Sequence, residues 1–495
     1  MRVIAYISAI FLASVLIFTA NDNPDAQVVK GESSCKLTIV RTLDSDGSFV
    51  EGVSQIHVAR GEKESILILA PANDAIRLNM DLAIAVDAPL AVEAFRLHPV
   101  NIDDAPAYDV MIPAASDTAD LRSESERLVY VADIDIPVAT EAGNYDIELD
   151  IGDCGTTVQF RVHDVVLPAT DDLIVQTAID PHATRAQLFD ISLKYGINSF
   201  AGLFPRLFKA NVDSADSQAT LAELDDFLSN PQVRHFRLPV SQYHRNNTYA
   251  DRFGDPEDGE AFAKRLNDEL YPYTALLENA DLRHKLIIKL WDEPIPVNYP
   301  EVATLYSAAR MALPGILLEL AEQPEPTISD AADIWTIHND YLLQEDVTRQ
   351  HANGNLVLVY VNKLQSIQRP SDAMRRTGWI MWNYDLDGYH FWRLNWWNVD
   401  HWSNRSSWKS DFDKTGTFVY LAANDEIFAS LRLLSFREGL EDARLLRLAE
   451  ECADNQGSRV WLDSVRPLGI ADAETDAGAA LYAARDELLV QLESC

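Results

Sequence analysis

Two adjacent carboxylates follow an apolar segment near the middle of the chain. The run 285–291 (KLIIKLW) is typical of a buried strand, and Asp292, Glu293 and Pro294 follow it directly. Neighbouring side chains of a strand point to opposite faces, so two adjacent acids share a pocket only where the strand ends. Pro294 cannot donate a hydrogen bond to a sheet, which favours an end there. We therefore interpret the pair as a general acid with a partner carboxylate rather than as a solvated acidic turn.

A second group of candidate residues is mainly aromatic. Seven of the ten tryptophans lie between positions 379 and 408, interleaved with Asn, Asp and Tyr. A sugar has apolar faces that stack on indoles and a rim of hydroxyl groups that form hydrogen bonds, so this composition suits a carbohydrate pocket. Packing in the core is the alternative for any one ring. With a patch that follows another predicted strand, the candidate substrate-binding residues are Trp335, His338, Tyr341, Trp382, Tyr384, Asp387, Trp392 and Trp396.

Strands that alternate with helices over residues 170–425 would position these side chains. The predicted strands are Leu173–Ile179, Ile197–Ala201, Val233–Val240, Lys285–Trp291, Ile316–Leu320, Ile334–Ile337, Leu356–Val361 and Gly378–Asn383. Amphipathic segments lie between most of them, and eight such units are typical of a (β/α)8 barrel. An open doubly wound sheet is the alternative, which the lack of a glycine-rich turn after the first strand disfavours. In a barrel, catalytic groups lie at the carboxyl ends of the strands, where the acidic pair is predicted.

Short alternating runs over residues 35–168 predict a β-sandwich before the barrel. Runs such as Thr157–Val162 alternate with a period of two, and turn residues separate them. Residues 426–495 are predicted to form helices that pack on the barrel. The expected fold class is therefore multidomain β plus α/β: an N-terminal β-sandwich, a (β/α)8 TIM-type barrel and C-terminal helices. Four cysteines predict two local disulfides, Cys35 with Cys154 and Cys452 with Cys495, with free thiols as the alternative.

The first twenty residues predict export. Arg2 precedes an almost entirely apolar run, 3–20, which polar residues from Asn21 end. This pattern is typical of a secretory signal peptide, with an uncleaved membrane anchor as the alternative. We therefore expect a protein exported from a bacterial cell, in the periplasm or outside the cell. The formal net charge of −36 excludes nucleic-acid binding, because phosphate backbones repel a chain this acidic.

The acidic pair, the aromatic segment, the patch at Trp335 and the run 437–442 (REGLED) together resemble glycoside hydrolase family 123 and its relatives, known as domain of unknown function 4091. The resemblance implies a β-N-acetylgalactosaminidase-like enzyme in which the substrate's own 2-acetamido oxygen attacks the anomeric carbon. It further implies that Glu293 is the general acid and base, and that Asp292 orients the acetamido group and stabilises the oxazolinium intermediate. A tyrosine that binds the acetamido carbonyl is also implied, with Tyr384 and Tyr341 as candidates. No cofactor or metal is expected.

Two other functions stay open from the sequence. A glycosidase of the same fold would use Glu293 as the acid and a distant carboxylate, Asp385, Asp387 or Glu322, as nucleophile or base. A non-catalytic glycan-binding protein is the other alternative, although binding alone does not require two adjacent acids. The sequence contains no nucleophile elbow, Walker loop or zinc-protease motif. A glycan or glycoconjugate is thus the expected partner, and the oligomeric state is left open.

Overall fold

The computed structural model describes residues 35–44, 48–49, 52–70, 82–86, 89–102, 105–114, 128–151, 153–169, 172–244, 259–397, 402, 414–452, 456–470 and 478–494. The predicted export signal and Cys495 lie outside these residues. Among the described residues, no helix combines the length and the apolar character needed to cross a membrane.

Ten described strands before the barrel form two sheets. They are β1 Cys35–Lys36, β2 Thr38–Val40, β3 Gln55–Arg60, β4 Lys63–Ala70, β5 Leu82–Val86, β6 Ala91–Ile102, β7 Ala105–Pro113, β8 Leu128–Asp135, β9 Gly143–Ile151 and β10 Cys154–Val166. One sheet has the order β1-β10-β9-β5, with β3 also paired to β10, and the other has the order β2-β4-β8-β6-β7. Ile66 and Ile68 of β4 pack between the two sheets, whereas Leu67 and Leu69 join the barrel core. Both faces of β4 are buried over residues 66–70, and this part of its sequence, ILILA, is a continuous apolar run.

Eight parallel strands form a closed barrel. They are β11 Ile174–Ala178, β12 Ser199–Ala201, β13 His235–Arg237, β15 Leu286–Asp292, β16 Leu317–Ala321, β17 Ile334–His338, β18 Leu356–Tyr360 and β19 Gly388–Phe391. Pairing follows this order, closes between β19 and β11, and adds the short strand β14, Tyr243–His244, to β15. An apolar layer of Ile174, Ile287, Ile334 and Leu358 fills the barrel towards the amino ends of its strands. The predicted barrel is confirmed.

Helices surround the barrel and follow it in the chain. The helices that come before the last barrel strand are α1 Arg185–Lys194, α2 Ala215–Ser229, α3 Gly259–Leu270, α4 Thr274–Glu278, α5 Ala280–Arg283, α6 Tyr299–Ala312, α7 Gln344–Ala352 and α8 Arg376–Asn383. A hairpin of β20 Val419–Leu421 and β21 Ile427–Ala429 precedes α9 Leu431–Cys452, α10 Gln456–Val465 and α11 Gly478–Glu493. These last three helices bury a separate apolar cluster against the edge of the sandwich and α8.

The prediction of the eighth barrel strand is wrong. Residues 378–383 belong to helix α8, and the eighth barrel strand is Gly388–Phe391 instead. Every residue of α8 from Arg376 to Trp382 is buried, and a short, fully apolar run does not reveal by its periodicity whether it is a strand or a helix. Gly378 belongs to the helix because α8 crosses α9 closely: a Cβ atom there would lie 1.7 Å from the carbonyl oxygen of Gly439.

A buried ion cluster joins the sandwich, α8, α9 and α11. Its members are all buried, and they are Glu62, Glu64, Asp133, Arg375, Arg437, Glu438, Glu441, Asp442 and Arg485. Glu438 accepts a hydrogen bond from the backbone N–H of Ser65, and Glu441 accepts one from that of Lys63. Arg437 forms a bidentate pair with Asp133 at 2.7 and 2.8 Å. The REGLED segment therefore attaches the sandwich to the barrel.

The cluster holds six carboxyl groups and three guanidinium groups, so some of the acids must stay protonated. Burial raises the pKa of Glu438 to about 7 and that of Glu441 to about 8, and it also raises the pKa of Glu62. A folded-state pKa above the ordinary value of 4.5 means that folding retains a proton which the unfolded chain releases. The contribution of Glu441 to stability therefore decreases as the pH rises from about 4.5 to about 8.

We expect Glu441→Gln to gain stability relative to the wild type as the pH rises from about 5 to about 8. Glutamine resembles the protonated acid, keeps an oxygen for the Lys63 N–H and does not ionise. Urea unfolding of both proteins at a series of pH values measures the difference. Glu451→Gln, an exposed position on the same helix, is the matched control and should show no such trend. A stability difference for Glu441→Gln that is independent of pH would contradict this prediction.

The two predicted disulfides have different outcomes. Cys35 and Cys154 are register partners on β1 and β10, which is compatible with a bridge, and this disulfide stays a prediction. Cys452, at the end of α9, is a free thiol, so the predicted Cys452–Cys495 bridge is not formed. Its predicted partner, Cys495, lies outside the described residues.

Candidate active site

Asp292 and Glu293 lie at the carboxyl end of β15, on the face of the barrel where catalytic groups are expected. An irregularity in the β15–β16 register between Lys289 and Asp292 changes the alternation, and it brings the side chains of these two residues to the same side. Glu293 has a φ of +47°, in the left-handed region that non-glycine residues rarely adopt, and its N–H donates to the Ala321 carbonyl at 3.1 Å. Such backbone strain is concentrated at functional sites.

Two basic side chains, Lys289 and His244, keep Asp292 ionised. Its Oδ1 lies 2.5 Å from Lys289 Nζ, and its Oδ2 accepts a hydrogen bond from His244 Nδ1 at 3.2 Å. Burial acts to raise the pKa of Asp292, but the Lys289 charge and both hydrogen bonds outweigh it and lower this pKa well below its usual range. The side chain is still 36% exposed, so Asp292 offers a charged oxygen to a ligand.

Glu293 contacts a tyrosine from a strand on the other side of β16 and β17. Tyr360, the last residue of β18, donates a hydrogen bond from its Oη to Glu293 Oε1 at 2.9 Å. Burial and the Glu293 charge raise the pKa of Tyr360, so the phenol stays protonated. The ring of His338 packs edge-on against Tyr360, with 4.9 Å between the centroids. Burial lowers the pKa of His338, and its Nδ1 accepts the N–H of Asp340.

Charged side chains continue inward from Asp292. Glu319 on β16 is fully buried and is the register partner of Lys289, with 4.0 Å between Oε1 and Nζ. It accepts hydrogen bonds from Gln176 Nε2 at 3.0 Å and from Arg237 Nη1 at 3.3 Å. Burial acts to raise the pKa of Glu319, but Arg237 and Lys289 lower it below its usual value. Negative and positive groups therefore alternate from the interior to the mouth of the barrel.

Of the three alternative distant carboxylates, only Glu322 lies at this end of the barrel. It follows β16, and burial together with the nearby Glu293 charge raises its pKa to about 7. Asp387 lies at the amino ends, where its Oδ2 accepts hydrogen bonds from the Val357 N–H at 2.7 Å and from His351 at 2.8 Å. Asp385 lies beside it, 3.8 Å from the same histidine ring. Neither can act on a sugar bound at Glu293.

Four of the predicted substrate-binding residues lie at the same end as the acidic pair. His338 ends β17 and Tyr341 follows it, with ring centroids 6.1 Å apart, and Tyr341 is 58% exposed. Trp392 and Trp396 follow β19 and pack edge-on, with 4.7 Å between the centroids. The N–H of Trp396 donates to the Gly416 carbonyl. Their roles in substrate binding stay predictions.

The structure does not bring the other four to the site. Trp335 is fully buried in the large core. Its strand neighbours Ile334 and Thr336 face the barrel interior, so the side chain of Trp335 points away from that interior. Trp382 lies on α8 beneath the guanidinium of Arg466, 4.7 Å from its ring centroid. Tyr384 and Asp387 follow α8 and lie with it at the amino ends of the strands. The reason is that residues 376–383 form a helix and not a strand. A helix that precedes β19 ends near the amino ends of the barrel strands, whereas a strand at this place would have ended near their carboxyl ends.

Sequence reasoning missed Lys289, Glu319, His244 and Tyr360. For Lys289 and Glu319 a signal was present, because each is a lone charge within an otherwise apolar strand, LIIKLW and LLELA. Strand interiors seldom contain charged residues unless these are paired. His244 follows an irregular segment, and its place beside Asp292 depends on β14, a strand of two residues that no pattern predicts. Tyr360 ends a typical buried strand, so nothing distinguished it from core residues.

Residues 234–449 match the family model of the catalytic domain of glycoside hydrolase 123. The match includes the acidic pair, Lys289, Glu319 and Tyr360. The protein is a glycoside hydrolase. The family resemblance expected from the sequence is confirmed over these residues, and the match includes the whole REGLED segment. No curated protein sequence gives a significant match.

One solved structure shares the fold of this glycoside hydrolase over most of its length. A family 123 glycoside hydrolase from Clostridium perfringens, described for glycolipid glycan hydrolysis, is similar with a TM-score of 0.65 and 11% identity, covering 93% of this chain and 97% of that one. A β-glycosidase from Bacteroides vulgatus has a TM-score of 0.23 and 7% identity, covering 66% and 38%. Methylaspartate ammonia lyase from Clostridium tetanomorphum has a TM-score of 0.28 and 8% identity, covering 63% and 92%. The last two similarities are too low to support an argument.

The site of this glycoside hydrolase contains a fixed anion beside a carboxyl group that contacts a neutral phenol. Within the described residues, no group of His, Cys, Asp and Glu side chains is arranged to hold a metal ion. Glycoside hydrolases generally use a pair of carboxyl groups, one of which donates a proton to the leaving group.

Proposed function

We propose that this protein is an exported, retaining glycoside hydrolase that removes terminal 2-acetamido-2-deoxy sugars, such as N-acetyl-β-galactosaminides, by substrate-assisted catalysis. The observation that carries the proposal is the state of Asp292, which Lys289 and His244 keep ionised directly beside Glu293. A permanent carboxylate is suited to accept the acetamido N–H and to stabilise the positive oxazolinium ion. It is unsuited to donate a proton, which leaves that step to Glu293.

In the proposed first step, Glu293 protonates the glycosidic oxygen while the acetamido oxygen attacks the anomeric carbon. The bond to the leaving group breaks, and an oxazolinium ion forms with the opposite anomeric configuration. In the second step Glu293, now ionised, takes a proton from a water molecule that attacks the anomeric carbon and opens the ring. Two inversions give overall retention, and no carboxylate forms a covalent bond with the sugar.

The proposed substrate is a glycan or glycoconjugate. The exposed Tyr341 and the Trp392–Trp396 pair lie at the carboxyl ends of the barrel strands and offer ring faces for stacking. Tyr341 remains the candidate for the acetamido carbonyl, since Tyr384 lies at the opposite end. The described activity of the Clostridium perfringens enzyme on glycolipid glycans supports a glycoconjugate. Export rests on the apolar run at residues 3–20.

A comparison of aryl β-glycosides with and without the 2-acetamido group tests the mechanism. We expect hydrolysis of aryl N-acetyl-β-galactosaminide and release of the sugar with retained configuration, and a loss of at least about 10³-fold for the matched 2-hydroxy sugar, which lacks the internal nucleophile. Release of the aryl group measures rate, and proton NMR of the first product measures configuration. Equal rates on both sugars would instead favour Glu322, which follows the neighbouring strand β16, as a nucleophile or base.

A further inference from the structure

The interior of the barrel contains a connected set of charges that ends at Asp292. Glu319 has no exposed side-chain surface and Lys289 only 5%, yet both are ionisable. The Lys289 ammonium lies between the two carboxylates, 2.5 Å from Asp292 and 4.0 Å from Glu319. Arg237 and Gln176 hold the other side of Glu319. Asp292 is the only member that is more than slightly exposed to solvent, with 36% of its side chain accessible.

Stability alone does not account for these charges. Barrel interiors are usually filled by layers of branched apolar side chains, and the layer of Ile174, Ile287, Ile334 and Leu358 below the charges is of this kind. Removing two charges from water costs free energy that their attraction seldom exceeds, so an apolar pair of similar size is often as stable or more so. The charged layer lies directly beneath the mouth, between the apolar layer and the acidic pair.

We propose that Lys289 and Glu319 are positioning residues: Glu319 fixes the Lys289 ammonium, and Lys289 fixes Asp292 as an ionised carboxylate in the orientation that meets the acetamido group. Neither residue touches the sugar. The inference rests on the proposed function, because it assigns Asp292 its role there. It adds that this role depends on a buried lysine one strand layer below the substrate.

The pH dependence of activity reports this role. Asp292 acts only when it is ionised, and without the lysine its pKa rises towards that of a carboxyl group beside other acids. The charged or titratable groups that surround it are Lys289, Glu293, His244, Arg237, Glu319, His390, Tyr306 and Tyr360. With Lys289 removed, Arg237 is the remaining permanent cation in this set, and His244 is the basic side chain that still contacts the carboxylate directly.

The test compares pH profiles of kcat/KM for the wild type and Lys289→Met on the aryl glycoside that the wild type hydrolyses best. We expect the acid limb to move up by about 1–3 pH units, with activity recovering above it. Lys289→Arg keeps the charge and should return the limb towards the wild-type position. Lys285→Met is the matched control, since Lys285 precedes the same strand and binds the carbonyl groups of Leu228 and Asn230, away from the site.

Removing Lys289 alone takes away one of the positive charges beside the buried Glu319 carboxylate. The double variant Lys289→Met/Glu319→Gln is therefore measured in parallel. It removes one charge of each sign and should show the same displaced limb. The inference is overturned if the acid limb of the pH profile stays at the wild-type position in whichever of these variants folds. It is also overturned if Lys285→Met displaces the acid limb equally. Failure of the proposed function is a separate outcome: it appears in the wild type, as equal rates on sugars with and without the acetamido group.

Discussion

Replacing Glu293 with glutamine should lower kcat/KM by about 10²–10⁴-fold on substrates with poor leaving groups. Glutamine keeps the size of the side chain and can still accept the Tyr360 hydrogen bond, so the fold and the site geometry should persist. It has no acidic proton for the glycosidic oxygen and cannot deprotonate water in the second step. Steady-state rates on alkyl and aryl glycosides of the same sugar measure the loss.

Substrates with different leaving groups distinguish the two roles of Glu293, as the acid of the first step and the base of the second. An activated nitrophenolate departs without much protonation, so the first step of Glu293→Gln should be slowed less for it than for an alkyl glycoside. Glu278→Gln, an exposed position on α4, is the matched control and should keep the wild-type rates. If Glu293→Gln retained more than about a tenth of the wild-type rate on the alkyl glycoside, Glu293 would not be the general acid.

The structure shows which features the sequence could predict. Seven of the eight predicted barrel strands overlap observed strands, because buried parallel strands read as short apolar runs between helical segments. The place of Asp292 and Glu293 followed from the same reading together with the rule that catalytic groups lie at carboxyl ends. Local patterns were sufficient here because the strand, its end and the acidic pair are contiguous in sequence.

The aromatic segment shows where such patterns are insufficient. The run 378–382 is apolar on every side because α8 is buried between the barrel and α9, and a fully buried helix has no polar face to reveal its period. That one error moved Trp382, Tyr384 and Asp387 to the wrong end of the barrel. Residues that come together from distant segments, such as Tyr360 beside Glu293, depend on the closed barrel and leave no local trace.

The REGLED segment gives a related lesson about motifs. It is one of the segments that carry the family resemblance, yet its charged side chains bind the sandwich and α8 rather than the site. Arg437 pairs with Asp133 of β8, and Asp442 accepts hydrogen bonds from Arg375 and from Trp379 Nε1. A charged motif outside the active site can therefore attach two parts of the fold to each other.

Arg375 is the residue on which this attachment depends most. It is 1% exposed and forms bidentate pairs with Glu64 of β4, at 2.9 and 3.0 Å, and with Asp442 of α9, at 2.8 and 2.9 Å. It also donates to Glu438 at 3.2 Å. Burial acts to raise the pKa of Glu64, but the charge of Arg375 outweighs it and lowers this pKa to about 2. Arg375 therefore joins buried carboxyl groups from two parts of the chain.

We expect Arg375→Met to lower the free energy of unfolding by about 3–5 kcal/mol, because it removes the bidentate partner of two buried carboxyl groups, Glu64 and Asp442. Urea unfolding at pH 7 measures the change. Arg310→Met is the matched control, since Arg310 pairs with Asp333 at the surface, where such a pair contributes about 1 kcal/mol or less. Arg375→Lys, which keeps the charge but not the bidentate geometry, should fall between them. A loss no greater than that of Arg310→Met would mean that apolar packing, rather than these ion pairs, holds the sandwich on the barrel.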